Sequence, residues 1–392
     1  MTKTSNKLVL LNKLALFNED NELIQENIQI VDLFYQEDIR IGILARRNTL
    51  RELSKHIPEE YKDKILLVNR GSKTREKIKE LKSEGIAFSI VGIVDYDAIF
   101  SFNCKIPLFH LESLNTMKID VGEKVVKYGL LVKTYQDIID CLKAQEIHRK
   151  NYFELNNIND NYTAISLNNA NTHYRPEKEI RIKQIFESNL KGNEFTRDQK
   201  TLQLLFFNLL SEISQNSYFE QVKYWGTFPS SNPNNTNTSI SYIKEAVRVL
   251  MDGMPQNEKE ILIRYKEMCP KNRSGLSRLE YKCNKDFETL MVNPELKGKL
   301  DNEVVCIIDD YMTNGYSAES AKHILFAAGA KKVIFITLGK FGRRYYSTNY
   351  SIKGDVFTKS YEYEFKSEKL ITNMSNYNTD NDYQILGFDG LV

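Results

Sequence analysis

Residues 304–317 read Val-Val-Cys-Ile-Ile-Asp-Asp-Tyr-Met-Thr-Asn-Gly-Tyr-Ser, and no other segment constrains the fold so tightly. Five consecutive apolar residues spell a strand buried on both faces, as in a parallel sheet covered by helices. Two carboxylates, Asp309 and Asp310, stand at its carboxyl end. The small-residue loop Thr313-Asn314-Gly315-Tyr316-Ser317 then opens a helix expected over Ala318–Ala328, followed by a strand expected at Lys332–Thr337. Such a strand–loop–helix–strand unit crosses over right-handed, which makes this part of the chain α/β.

Ligands of open α/β sheets lie at the carboxyl ends of the strands. A loop that opens a helix there offers free backbone N–H groups and the positive end of the helix dipole, an anion site fit for phosphate. Gly315 allows close backbone approach, and the hydroxyls of Thr313 and Ser317 add donors. Asp309 and Asp310 cannot bind phosphate. They can accept hydrogen bonds from adjacent ribose hydroxyls or help hold a Mg²⁺-bearing ligand. Phosphate beside a vicinal diol describes a ribose 5-phosphate.

At roughly 100–200 residues per domain, 392 residues imply two or three compact units. The first 150 alternate apolar runs with helical patterns, with strands expected at Lys7–Leu11, Ile39–Ala45, Lys64–Asn69, Ile86–Ile93 and Ile106–His110. A closing helix is expected at Tyr135–Lys150, and the Asn-rich segment Asn151–Asp160 reads as a domain boundary. A second unit follows over 160–345. Its expected elements are a strand at Tyr162–Leu167, helices at Glu177–Asn193 and Arg197–Gln215, and strands at Phe219–Trp225 and Ile261–Tyr265. Residues 346–392, rich in Tyr, Asn and Ser, read as a strand-poor tail. The fold class is therefore α/β, with two doubly wound parallel-sheet domains.

Composition narrows function by exclusion. Lys+Arg total 54 against 52 for Asp+Glu, a net charge of +2, so no global field drives nucleic-acid or membrane binding. No apolar run is long enough to span a bilayer, and Met1–Leu16 shows no cleavage-site pattern, so a cytoplasmic protein is expected. The five cysteines show no CxxC spacing and the five histidines no HExxH, which sets aside zinc ribbons and zincin proteases.

The segment around Asp309 and Asp310 resembles the PRPP-binding motif of type I phosphoribosyltransferases. Their pattern is four apolar residues, two acids, two mostly apolar positions and Thr-Thr-Gly-x-Thr/Ser; here Asn314 replaces the second Thr. Upstream, Trp225-Gly-Thr-Phe-Pro-Ser-Ser-Asn232 is similar to the pyrophosphate loop of the competence-protein-like branch. The resemblance implies PRPP contacts by Thr313, Asn314, Gly315, Tyr316 and Ser317, and by Pro229, Ser230 and Ser231. It implies catalytic roles for Asp309, Asp310, Arg264 and Arg273, with Lys266 and Arg278 on the phosphates. Cationic side chains are what a leaving pyrophosphate needs. Mg²⁺ would enter with PRPP and touch Asp309 and Asp310 indirectly. Thr313 stands where the 6-oxopurine salvage enzymes place a carboxylate, so the acceptor is left open.

The N-terminal order of elements resembles the haloacid-dehalogenase-like (HAD) fold, whose first strand ends in a nucleophilic Asp with a second Asp two residues on. Here Asn12-Lys13-Leu14 follows the strand, and neither an amide nor a leucine can do that chemistry. Ala45 falls at the second-strand Thr/Ser position, and Lys73 stands at a helix start. Asp95 and Asp97 resemble the metal-site region, against the plainer reading of a solvated strand end. The resemblance implies an inactive HAD-like domain used for structure or for a protein partner.

Three readings of function compete. The first is a PRPP-dependent transferase with a fused pseudo-hydrolase domain, expected to be a homo-oligomer and suited to a bacterial accessory system such as a retron-type antiviral operon. The second is a non-catalytic sensor of PRPP or a nucleotide. The third, less favoured, is a nucleic-acid effector contacting its ligand through Arg264–Arg278 and Trp225.

Overall fold

The computed structural model describes residues 6–113, 120–148, 150–157, 161–192, 197–252, 259–268, 278–371 and 373–392. The chain divides into two units: Met1–Lys143 with Arg248–Gln256, and Ala144–Val247 with Asn257–Val392.

The first unit alternates strand and helix in chain order: β1 (Lys7–Asn12), α1 (Gln29–Gln36), β2 (Arg40–Ala45), α2 (Arg47–His56), β3 (Ile65–Asn69), α3 (Ser72–Ser83), β4 (Ala87–Val91), α4 (Asp95–Cys104), β5 (Leu108–Leu111), α5 (Glu123–Tyr128), β6 (Leu130–Val132) and α6 (Tyr135–Ile147). Its six strands are all parallel in the order β3-β2-β1-β4-β5-β6. The chain winds outward from β1 to β3 and then returns to β4, so the order reverses between β1 and β4. Central strands are mostly apolar because helices cover both faces: Val9, Leu10, Leu11, Ile90 and Val91 are all fully buried. The three-residue strand β6, hidden between a helix and a turn, was not among the expected elements.

The second unit holds β7 (Phe153–Asn157), β8 (Tyr162–Asn169), α7 (Glu177–Lys191), α8 (Gln199–Gln215), β9 (Val222–Thr227), α9 (Ser239–Asp252), β10 (Leu262–Arg264), α10 (Arg278–Tyr281), α11 (Asn284–Phe287), β11 (Leu290–Val292), β12 (Val304–Met312), α12 (Tyr316–Ala327), β13 (Lys332–Lys340), β14 (Tyr345–Lys353) and β15 (Glu362–Ile371). The main sheet runs β7-β8-β13-β12-β9. The expectation of two parallel sheets is corrected here: β8, β13, β12 and β9 are parallel, but the edge strand β7 is antiparallel. The edge strand lies within the segment read as a boundary, and Tyr152 and Phe153 are buried in the core. Asn156 disguises it, since an edge strand leaves polar side chains in water.

The strand-poor tail is a second correction. β14 and β15 form a long antiparallel hairpin. Tyr and Thr suit a pleated, half-buried surface, and Tyr345, Thr348 and Tyr350 are the buried residues of β14. The central strand β12 behaves as its apolar run demands, with Val304 through Ile308 buried.

Candidate functional site

β12 does not stop at its apolar run. It keeps pairing with β13 through Asp309↔Thr337, Tyr311↔Gly339 and Met312↔Lys340, whereas its pairing with β9 ends at Ile308↔Thr227. The two strands diverge there, and the Phe228 N–H still donates to the Ile308 carbonyl at 3.1 Å. A cleft of about 310 Å³ opens in the fork. One wall is the unbroken run Asp309–Ala318, and the other carries Phe228, Pro229 and Ser231.

The loop is held from behind. Gly315 precedes α12 with φ +87°, the left-handed region that only glycine enters freely. A Cβ there would stand 2.6 Å from ring atoms of Tyr345. The Thr313 carbonyl accepts from the Lys340 ammonium, and the Asn314 carbonyl accepts from the Tyr346 N–H at 3.0 Å. The first intrahelical bond of α12 runs from the Glu319 N–H to the Gly315 carbonyl at 2.9 Å. The N–H groups of Tyr316, Ser317 and Ala318 thus have no acceptor within the helix, and all three residues line the cleft. Glu319 does not oppose an anion there. Its buried carboxylate accepts from the Tyr345 hydroxyl at 2.6 Å and the Thr348 N–H at 2.7 Å, and pairs with Lys322.

The acid pair is ordered by its own backbone. Asp309 Oδ1 accepts from the Asp310 N–H at 2.9 Å, and Asp310 Oδ1 from the Tyr311 N–H at 2.6 Å. Burial pushes the Asp310 carboxyl up, while the Tyr311 N–H and the Lys191 charge pull it down.

Arg264 reaches the cleft but is only 4% exposed, and its guanidinium is engaged. Nε donates to the Ser230 carbonyl at 2.7 Å, Nη1 to the Thr289 hydroxyl, and Nη2 to the Pro229 carbonyl at 3.4 Å and Asp286 Oδ1 at 3.3 Å. Its charge is balanced by Asp286, and its geometry fixes the Pro229–Ser231 loop. Ser230 contributes that carbonyl and is not among the lining residues. Lys266 is exposed and is not brought to the wall. Arg273, and the side chain of Arg278, lie outside the described residues.

The cations the structure does bring to the cleft are Lys282 and Lys285, with Tyr281 and Met268 beside them. Lys282 pairs with Glu368 of β15 at 3.1 Å, and Lys285 lies over the Tyr281 ring at 3.7 Å. Sequence reading missed both because they stand in a long polar stretch with no pattern of their own. Their only signal was proximity to Arg278 and Asn284.

In the first unit, Asp95 and Asp97, the residues expected at a metal site, both have protein partners. Asp97 is fully buried, and its Oδ2 accepts from the N–H groups of Ile93 and Val94 and from Asn12 Nδ2 at 2.8–3.0 Å. Its Oδ1 pairs with Arg70. Asp95 caps a neighbouring turn, accepting from the Lys124 N–H at 2.8 Å and facing the Lys124 ammonium at 3.3 Å, which hold it below the usual carboxylate range. Among the described residues no three His, Cys, Asp or Glu side chains form a metal cage, and no helix is long and apolar enough to cross a membrane.

No protein-family model matches the chain, and no curated protein or solved structure matches it.

Proposed function

We propose that the second unit binds PRPP and acts as a phosphoribosyltransferase-like domain. The observation that carries this reading is the cleft itself: one wall presents two carboxylates, the hydroxyls of Thr313 and Ser317, and the N–H groups of a helix start. Helix N–H groups and dipole suit the 5-phosphate. Asp309 and Asp310 sit where ribose hydroxyls donate. Two carboxylates also fit a Mg²⁺ that arrives on the substrate's diphosphate, because that ion keeps its waters and takes few protein ligands. It would offset charge on the leaving pyrophosphate. Lys285 adds positive charge to the same cleft, Lys282 brings a cation paired with Glu368, and Arg264 acts as a positioning residue for the facing loop. In transfer, the bond from ribose C1 to pyrophosphate breaks with its electron pair on the leaving oxygen, and a nucleophile, usually nitrogen, bonds to C1.

We read the first unit as an inactive HAD-like domain. Asn12 ends β1 where a nucleophile would stand, and it donates to Asp97 instead.

Calorimetric titration with PRPP and Mg²⁺ tests the reading. Wild type should bind, and Asp309→Ala/Asp310→Ala should not, while keeping a cooperative unfolding transition. Equal binding by the variant would overturn the placement of the ribose. A wild type that ignores PRPP would overturn the reading itself.

A further inference from the structure

The two βα turns after β2 and β3 share an unusual charge pattern. Residues 45–51 read Ala-Arg-Arg-Asn-Thr-Leu-Arg and residues 69–75 read Asn-Arg-Gly-Ser-Lys-Thr-Arg: six cations and no acid, in a chain whose net charge is only +2. The turns are neighbours. Ala45 pairs with Asn69, and the Arg70 N–H donates to the Ala45 carbonyl at 2.9 Å, so adjacent strand ends stand about 5 Å apart. Arg46, Arg47, Arg51, Lys73 and Arg75 are exposed, and none of them is held in an ion pair among the described residues. Neither α2 nor α3 carries an acid in its first turn. Placing cations instead of acids at a helix start works against the dipole, a cost that an external anion would offset.

The shape of the anion follows from what blocks a small one. In an open α/β sheet a nucleotide lies in the crevice where the strand order reverses, here between β1 and β4. The buried network Arg70–Asp97–Asn12 fills that place. The cations lie to one side of it, on the ends of β2 and β3, and project outward from a rim. We propose that this rim binds the phosphodiester backbone of nucleic acid, by charge and without reading bases. The surface differs from the Arg264–Arg278 and Trp225 set expected from sequence. Trp225 is buried against Phe219 and Arg264 is spent on its own unit, so neither can touch a nucleic acid.

The test is fluorescence anisotropy on the full chain with short single-stranded DNA, single-stranded RNA and duplex DNA, each over a salt series. Wild type should bind at least one of them, with affinity falling steeply in salt. The variant R46Q/R47Q/K73Q/R75Q should lose at least roughly tenfold in affinity, and its salt slope should flatten by about one unit per cation removed. All four side chains are exposed, so the fold is retained. Arg70 is left alone because it balances buried Asp97. The control K62Q/K79Q, which removes exposed cations elsewhere in the unit, should bind as wild type. The three probes distinguish RNA from DNA and single strands from duplex. Wild-type-like binding by the quadruple variant, or equal competition by polyglutamate, would overturn the proposal. So would absence of binding to every probe at low salt.

Discussion

Gly315 carries more of the site's geometry than any charged residue near it. Its left-handed φ aims the N–H groups of α12 into the cleft, and Tyr345 leaves no room for a side chain. Gly315→Ala should therefore cost about 1–3 kcal/mol for the backbone conformation, with the ring overlap added. It should also abolish the proposed PRPP binding even where the chain stays folded, which chemical denaturation and calorimetry measure separately. Arg264 makes a complementary case. Removing one partner of a buried ion pair leaves the other uncompensated, so Arg264→Ala should destabilise by about 3–5 kcal/mol. The double variant Arg264→Leu/Asp286→Leu should regain much of that stability. It should not regain ligand affinity, because nothing would hold the Pro229 and Ser230 carbonyls in place. Full recovery of affinity in the double variant would show that the guanidinium does not position the loop.

Elements differ in how openly the sequence announces them. β12 could be read at once, since five apolar residues followed by two acids admit few alternatives, and so could five of the six strands of the first unit and its closing helix. The cleft's long wall, Asp309–Ser317, is contiguous in sequence and was therefore visible in it. Its other parts come from separate loops: Pro229 and Ser231 were found through a motif, whereas Lys282 and Lys285 follow only from tertiary packing. The β14–β15 hairpin was misread because its alternation is aromatic against polar, and Asn and Ser mimic a loop. This element is bound to the site. Tyr345 packs on Gly315, Tyr346 donates to the Asn314 carbonyl, and Glu368 accepts from the Tyr316 hydroxyl at 3.2 Å. A chain ending at residue 344 should accordingly lose its cooperative thermal transition and its ligand binding together. A dispensable tail would leave both intact in the same calorimetric scan.

At the scale of the whole molecule, near-neutral charge conceals two local exceptions, the cationic rim of the first unit and a buried lysine behind the Thr313–Ser317 loop of the second. Lys340 donates to the carbonyls of Thr313 and Arg344, and burial pulls its ammonium down from 10.5 to about 7. Between those values the unfolded chain holds a proton on this residue that the folded chain does not. Stability must then rise with pH across the interval. Below about 7 both states are protonated, and the full penalty of burying the charge is felt. At the alkaline end a second process opposes the first. Burial pushes the Cys283 thiol up to about 12, so the unfolded chain loses that proton near 9 while the folded chain keeps it. The clean window is therefore pH 7 to 9, where wild type should become steadily more stable to urea. Lys340→Met should be more stable than wild type at pH 7, or lose less than the missing hydrogen bonds alone would cost, and its stability should be flat across the window. A variant that kept the wild-type slope would assign the titration to another group and leave Lys340 charged in the fold.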